Sequence, residues 1–224
     1  MIVDERLSTY IDSISWQIPD YLQEVETQAL EDGVPIIRRS MQSLLQFLLL
    51  VKKPSTVLEI GTAVGFSSML MSECVADTVP IDTIEKVPVR IQNARANFEK
   101  YKKTERIRLI EGDAGGVLQQ LVDAGNRYDF IFMDAAKGQY PVFLQPILTL
   151  LSENGMLVTD NVLQDGDIIE SRYAITRRDR TIHGRMREFL YTLTHSIELQ
   201  TVVLPVGDGA AVSQRIGSPG GQYI

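Results

Sequence analysis

The stretch VLEIGTAVGFSS, residues 57–68, constrains this chain more than any other. A short apolar run carrying one acid, Glu59, ends at Gly61, and a second glycine, Gly65, opens the next segment. The pattern reads as a strand, a tight turn and a helix start, because glycine takes turn conformations that other residues resist. A dinucleotide fold asks for G-x-G-x-x-G, whose second glycine lets the backbone approach a pyrophosphate. Ala63 stands at that position, so pyrophosphate is not the expected ligand. An acid just ahead of the turn suits a cationic ligand, such as the amino and sulfonium groups of S-adenosylmethionine, better than phosphate oxygens.

Apolar strand segments at 57–60, 81–84, 107–110, 130–133 and 156–159 alternate with helical stretches, 90–101 and 140–151 among them. Such alternation argues for βαβ units and a parallel sheet. Segments 199–204 and 210–214 flank Gly207-Asp208-Gly209, a turn signal for an antiparallel hairpin. Residues 4–15, 18–32 and 37–51 read as helices, the last two separated by Gly33-Val34-Pro35. The expected fold is α/β, a mostly parallel seven-stranded sheet with a C-terminal antiparallel hairpin and N-terminal helices. The 224 residues fit one domain. Within it, 1–52 is expected as a helical cap, 53–216 as a Rossmann-like core and 217–224 as a flexible tail.

In open α/β sheets ligands sit beyond the carboxyl ends of the strands. The second run ends at Glu85, placed to accept both hydroxyls of a ribose, with a plain surface acid as the alternative. The third is followed by Asp113 and Ala114 at an adenine edge, where Asp113 can equally cap the next helix. The fourth ends at Asp134 and the fifth at Asp160-Asn161. Two carboxylates brought together repel, and a cation resolves the cost. An all-oxygen donor set suits a hard divalent ion, Mg²⁺ first. Lys137, three residues beyond Asp134, is placed to hold or take a proton from an acidic hydroxyl; a solvated loop lysine is the alternative. His183 and His195 show no zinc-ligand spacing and are expected on a helix surface.

A net charge of −7 argues against generic nucleic-acid binding. Between Ser171 and Leu190, however, Arg172, Arg177, Arg178, Arg180, Arg185 and Arg187 face only Asp179 and Glu188, a local patch suited to a structured polyanion. A helix over 178–197 places Ile182, Met186, Phe189, Leu190, Leu193 and Ile197 on one face. Arg180 and Arg187 then project away from it. A salt-bridged solvated face is the alternative, and the scarcity of acids favours phosphate contacts to RNA whose target base is exposed in a loop. No apolar run approaches the roughly 18 residues of a membrane span. The N-terminus MIVDERLSTYID lacks a signal-peptide pattern, and Cys74 has no internal partner, so a cytoplasmic location is expected.

Together these residues resemble the metal-dependent O-methyltransferases of the catechol and caffeoyl-CoA type, over residues 34–215, and hence the class I methyltransferase fold. The resemblance implies Asp134, Asp160 and Asn161 as metal ligands and Lys137 with Asp134 as the catalytic pair. It implies Val34, Ile37, Glu59, Gly61, Ser67, Glu85, Asp113, Ala114 and Asp134 as contacts to S-adenosylmethionine, with residues 34–37 closing over its methionine end. Within that superfamily, EIGTAVGFS, DAAKGQY, TDNVL, RRDR and PVGDGAAVS are similar to the bacterial tRNA 5-hydroxyuridine methyltransferase group. That similarity implies tRNA as partner, met at its anticodon loop, with Arg177, Arg178 and Arg180 on the RNA. Plant caffeoyl-CoA enzymes tend to read Asp-Ala-Asp-Lys where Ala136 stands here. A small-molecule catechol enzyme and a non-catalytic S-adenosylmethionine- or nucleotide-binding protein are the other readings. The family also implies a homodimer, with Trp16, Tyr21 and Leu22 as candidate contacts.

Overall fold

A computed structural model describes residues 3–171 and 173–217; Arg172 and residues 218–224 of the expected tail lie outside the described residues. Three helices lead the chain: α1 Glu5–Ile14, α2 Asp20–Glu31 and α3 Arg39–Lys52. Asp4 caps α1 by accepting from the Arg6 and Leu7 N–H groups. The alternating part comes next as β1 Val57–Ile60, α4 Phe66–Cys74, β2 Ile81–Glu85, α5 Pro88–Lys100 and β3 Ile107–Glu111. It continues through α6 Ala114–Asp123, β4 Tyr128–Met133, α7 Tyr140–Leu150, β5 Leu151–Thr159, α8 Arg180–Thr194, β6 Leu199–Leu204 and β7 Ala210–Arg215.

The seven strands lie in the order β3-β2-β1-β4-β5-β7-β6. β1 to β5 run parallel, and β7 is antiparallel to both β5 and β6, as expected. Because β1 pairs with β2 on one side and β4 on the other, the crossovers diverge there and leave a crevice at the strand ends. Alternate side chains of β4 feed two cores. Phe130 and Phe132 pack with Leu45, Met69 and Phe98 on one face, while Ile131 and Met133 pack with Leu118, Ile147 and Phe189 on the other. Burial on both faces makes these strands read as continuous apolar runs.

Three differences from the sequence reading have physical causes. β5 starts at Leu151, because Leu151 pairs with Tyr128 before a polar excursion through Asn154 (φ 58°) returns the register at Met156 opposite Phe130. α8 stops at Thr194, so Ile197 lies beyond it and is 77% exposed. Its buried stripe is His183, Met186, Phe189 and Leu193, which overturns the surface placement of His183; His195 is exposed, stacked on Tyr191. Leu22 faces the protein's own core, and the Tyr21 ring packs on Tyr101 and bonds to Glu73, so neither belongs to an outer apolar face. Trp16 is exposed, as are Tyr10 and Ile14 of α1 and Phe47 and Val51 of α3. No helix among the described residues is long and apolar enough to cross a membrane.

Candidate functional site

A cavity of about 340 Å³ opens at the carboxyl ends of β1, β2 and β4. Gly61 (φ +108°) forms its floor, and a Cβ there would lie 2.0 Å from the Asp134 carbonyl oxygen, so glycine is required for the two strand ends to meet. Gly65, left-handed at the start of α4, leaves room for the Phe98 ring. Ala63, where a dinucleotide fold has glycine, also takes a left-handed conformation (φ 47°). Its N–H donates to Glu85 Oε2 at 3.0 Å, and Glu85 Oε1 accepts from the Lys86 and Val87 N–H groups at 2.8 and 2.9 Å. Three backbone donors thus fix this carboxylate at the cavity wall.

Of the expected residues, Ile37, Gly61, Ser67, Glu85, Asp113, Ala114 and Asp134 line the cavity. Asp113 does so while also capping α6 through Gly115 N–H (3.2 Å) and pairing with Lys86 Nζ (3.2 Å), so both of its readings coexist. Val34 is not part of the lining; Pro35, Ile36 and Ile37 form that wall. Glu59, also expected as a contact, does not line the cavity. It is fully buried beneath the floor, accepting from the hydroxyls of Ser67, Ser68 and Thr83, and only Ser67 of that group reaches the cavity. Burial pushes its carboxyl up to about 7, against the opposing pull of the three hydroxyls.

Beside the cavity the fourth and fifth strand ends meet. Asn161 Nδ2 donates to Asp134 Oδ1 at 2.9 Å, and Asn161 N–H donates to Asp160 Oδ1 at 2.7 Å. Asn161 holds this position in a left-handed conformation (φ 63°), a strain of the kind found at functional sites. Burial first, and the Asp134 charge second, push the Asp160 carboxyl up to about 7. Burial likewise raises Asp134, opposed by Lys137, Asn161 and Arg90. Lys137 sits in a 3₁₀ turn, Lys137–Gln139, outside the cavity lining, with its charge acting on both acids. No three His, Cys, Asp or Glu side chains cluster for a metal among the described residues. Two carboxylates withdrawn from water that destabilise each other, with an adjoining carboxamide oxygen, nevertheless fit a hard divalent cation.

The basic segment reaches the Lys137 turn through one residue. Arg185 Nη1 donates to the Gly138 carbonyl at 2.6 Å, fastening α8 to the turn that carries Lys137. Arg177 and Arg178 are exposed, and none of the ion pairs among the described residues includes them. Arg180 departs from the expected outward projection: it is half-buried, and its Nε donates to the Ile175 carbonyl at 3.2 Å. Arg90 and Phe143 are cavity residues that sequence reasoning missed. Arg90 had a signal, since Pro88 marks a helix start just after Glu85 and sets the next turn over the same strand end. Phe143 had none, because its apolar spacing on α7 is that of any core residue.

Comparison with known proteins supplies independent evidence. The family model described as O-methyltransferase matches residues 12–216. A catechol O-methyltransferase of Niastella koreensis is 29% identical over 169 residues, covering 74% of this chain and 76% of that protein. A caffeoyl-CoA O-methyltransferase of Citrus natsudaidai is 29% identical over 205 residues, 88% of each. The crystal structure of the Podospora anserina methyltransferase PaMTH1, solved with SAH bound, superposes with a TM-score of 0.84 at 30% identity, covering 95% of both chains.

Proposed function

This chain belongs to the O-methyltransferase family, and from that premise we propose that it methylates the 5-hydroxyl of 5-hydroxyuridine in tRNA, at the wobble position of the anticodon loop. S-adenosylmethionine is the proposed donor, and Mg²⁺, held by Asp134, Asp160 and Asn161, the proposed metal. The observation that carries the reading is the meeting of Asp134, Asp160 and Asn161 beside a glycine-floored cavity; the exposed Arg177 and Arg178, with no acidic partner among the described residues, support the RNA part of it.

The donor supplies an electrophilic methyl group on sulfonium, and transfer is an in-line displacement that demands alignment. Glu85, pinned by three N–H donors, offers ribose hydroxyls a preset acceptor. Ala114 and Asp113 flank the adenine end, and Ser67, Gly61 and Ile37 the methionine end. Glu59 orients Ser67 from below the floor. When bound, Mg²⁺ supplies Lewis-acid polarisation that favours an ionised hydroxyl near neutral pH. Asp134 and Asp160 would hold it with the Asn161 side-chain oxygen, and the Lys137 ammonium, whose charge acts on both acids, would hold the ionised hydroxyl by a charge-assisted hydrogen bond at Nζ. Arg177 and Arg178 grip phosphates; Arg180 orders the segment through Ile175.

A small catechol or a caffeoyl-CoA-type phenol is the second reading, favoured by the names of the relatives. The chain is read as one methyltransferase domain that pairs as a homodimer through the apolar residues exposed on α1 and α3. The test is methyl transfer to tRNA from cells lacking this protein, with the products resolved by nucleoside mass spectrometry. Appearance of 5-methoxyuridine at the expense of 5-hydroxyuridine is the expected result. Inactivity on that tRNA with efficient turnover of free catechols would select the second reading.

A further inference from the structure

We propose that Arg38 is a positioning residue that locks the cavity wall formed by residues 35–37 to the loop carrying Asp160 and Asn161, so that donor binding and metal-site order rise and fall together. The proposal rests on the reading of the cavity as an S-adenosylmethionine site. Ile37 is buried and lines the cavity, and the next residue, Arg38, is the N-cap of α3. The wall is already anchored at two points on its own side: Val34 N–H donates to the Ala29 carbonyl, and Gln42 Nε2 to the Ile37 carbonyl at 2.9 Å. The Arg38 side chain reaches the other way. Its Nη2 lies 3.1 Å from Asp165 Oδ1 and 2.5 Å from Asp208 Oδ1, partners more than a hundred residues distant in sequence.

Both partners belong to the support of the metal-site loop. Asp165 lies between Gln164 and Gly166, and all three take left-handed conformations (φ 51°, 55° and 101°), an arrangement that persists only where surrounding contacts impose it. Asp208 and Gly209, in the β6–β7 turn, accept from the Leu163 and Val162 N–H groups at 3.1 and 2.9 Å, directly after Asn161. Gly209 admits no side chain, since a Cβ would lie 2.4 Å from Leu163 Cβ. A Cβ added at Gly207 would lie 3.8 Å from Arg38 Cβ. One guanidinium therefore ties three separate segments: the donor wall, the strained loop and the turn that buttresses it.

The test compares wild type, Arg38→Ala, Arg38→Lys, Asp165→Ala and the Arg38→Ala/Asp165→Ala double variant. Each is measured by calorimetric titration with S-adenosylmethionine and by hydrogen exchange of the ligand-free protein. The expected result is donor affinity weakened roughly three- to tenfold in Arg38→Ala, partly restored in Arg38→Lys, with non-additive losses in the double variant. Exchange over 162–169 rises in Arg38→Ala, although those residues are remote from position 38 in sequence. Unchanged exchange over 162–169 overturns the proposal, as does wild-type-like affinity in Arg38→Ala. Should the wild type itself fail to bind S-adenosylmethionine, the donor reading falls, and the exchange data still decide the coupling.

Discussion

The donor side and the acceptor side of this site are built differently. The donor side is a floor of contiguous sequence, β1, a glycine turn and α4, with Glu59 sealed beneath it among hydroxyls. The proposed acceptor side is assembled from pieces distant in sequence: the end of β4 with the Lys137 turn that follows it, the end of β5, and α8, fastened to that turn by Arg185. Asn161, Gln164 and Asp165 sit there in left-handed conformations, whereas on the donor side Ala63 alone among non-glycine residues does so. A rigid floor suits one invariant cofactor. A rim of joined loops suits variation in substrate, since its parts change without disturbing the floor.

The sharpest way to break this comparison is Gly61→Ala. With φ at +108° and a Cβ forced to 2.0 Å from a backbone oxygen, the strand ends must separate. Loss of about 3 kcal/mol or more is expected in denaturant unfolding, together with loss of donor binding. A variant with native stability would show that the floor is not rigid.

Glu59→Gln probes the sealed acid. Its folded pKa, about 7, lies above the ordinary 4.5, so the stability it contributes is full below about pH 4.5 and is lost as pH rises through about 7. Wild-type stability should therefore fall across that window. The variant should fall less steeply, by at most about 1.4 kcal/mol per pH unit, and so should gain on wild type between about pH 4.5 and about 7, with the difference constant above that. Identical pH profiles in thermal melts would show that Glu59 carries no such burden.

On the rim, Arg177→Ala with Arg178→Ala should raise the KM for tRNA about tenfold and flatten its salt dependence, with donor affinity unchanged. An equal loss of donor affinity would merge the two sides. The smallest effect is expected for Asp113→Ala. Removing the cap costs about 1 kcal/mol, and a fall in donor affinity measured alongside separates its cavity role from its capping role.

The two halves also differ in how far the sequence discloses them. The glycine turn, Glu85 and all seven strands are readable, because each depends on local pattern: apolar runs, turn residues and strand-end acids. That Glu59 lies sealed beneath the floor is not legible, since a four-residue strand buried on both faces carries no alternation to orient it. His183 is misplaced because Ile182 and Ile197 set the expected helical phase of α8; the latter falls beyond the helix end. The Arg38 tie is invisible for a related reason. Its partners are joined by tertiary folding alone, and an arginine at a helix start has no local feature that names a distant aspartate.

The meeting of Asp134, Asp160 and Asn161 underlies the proposed chemistry, and titration of the purified protein with Mn²⁺, read by electron paramagnetic resonance, tests it most directly. A single Mn²⁺ should bind per chain, be displaced by Mg²⁺ and be lost in Asp160→Asn while S-adenosylmethionine still binds. Mn²⁺ binding that is absent in the wild type, or that survives Asp160→Asn unchanged, would contradict the metal site.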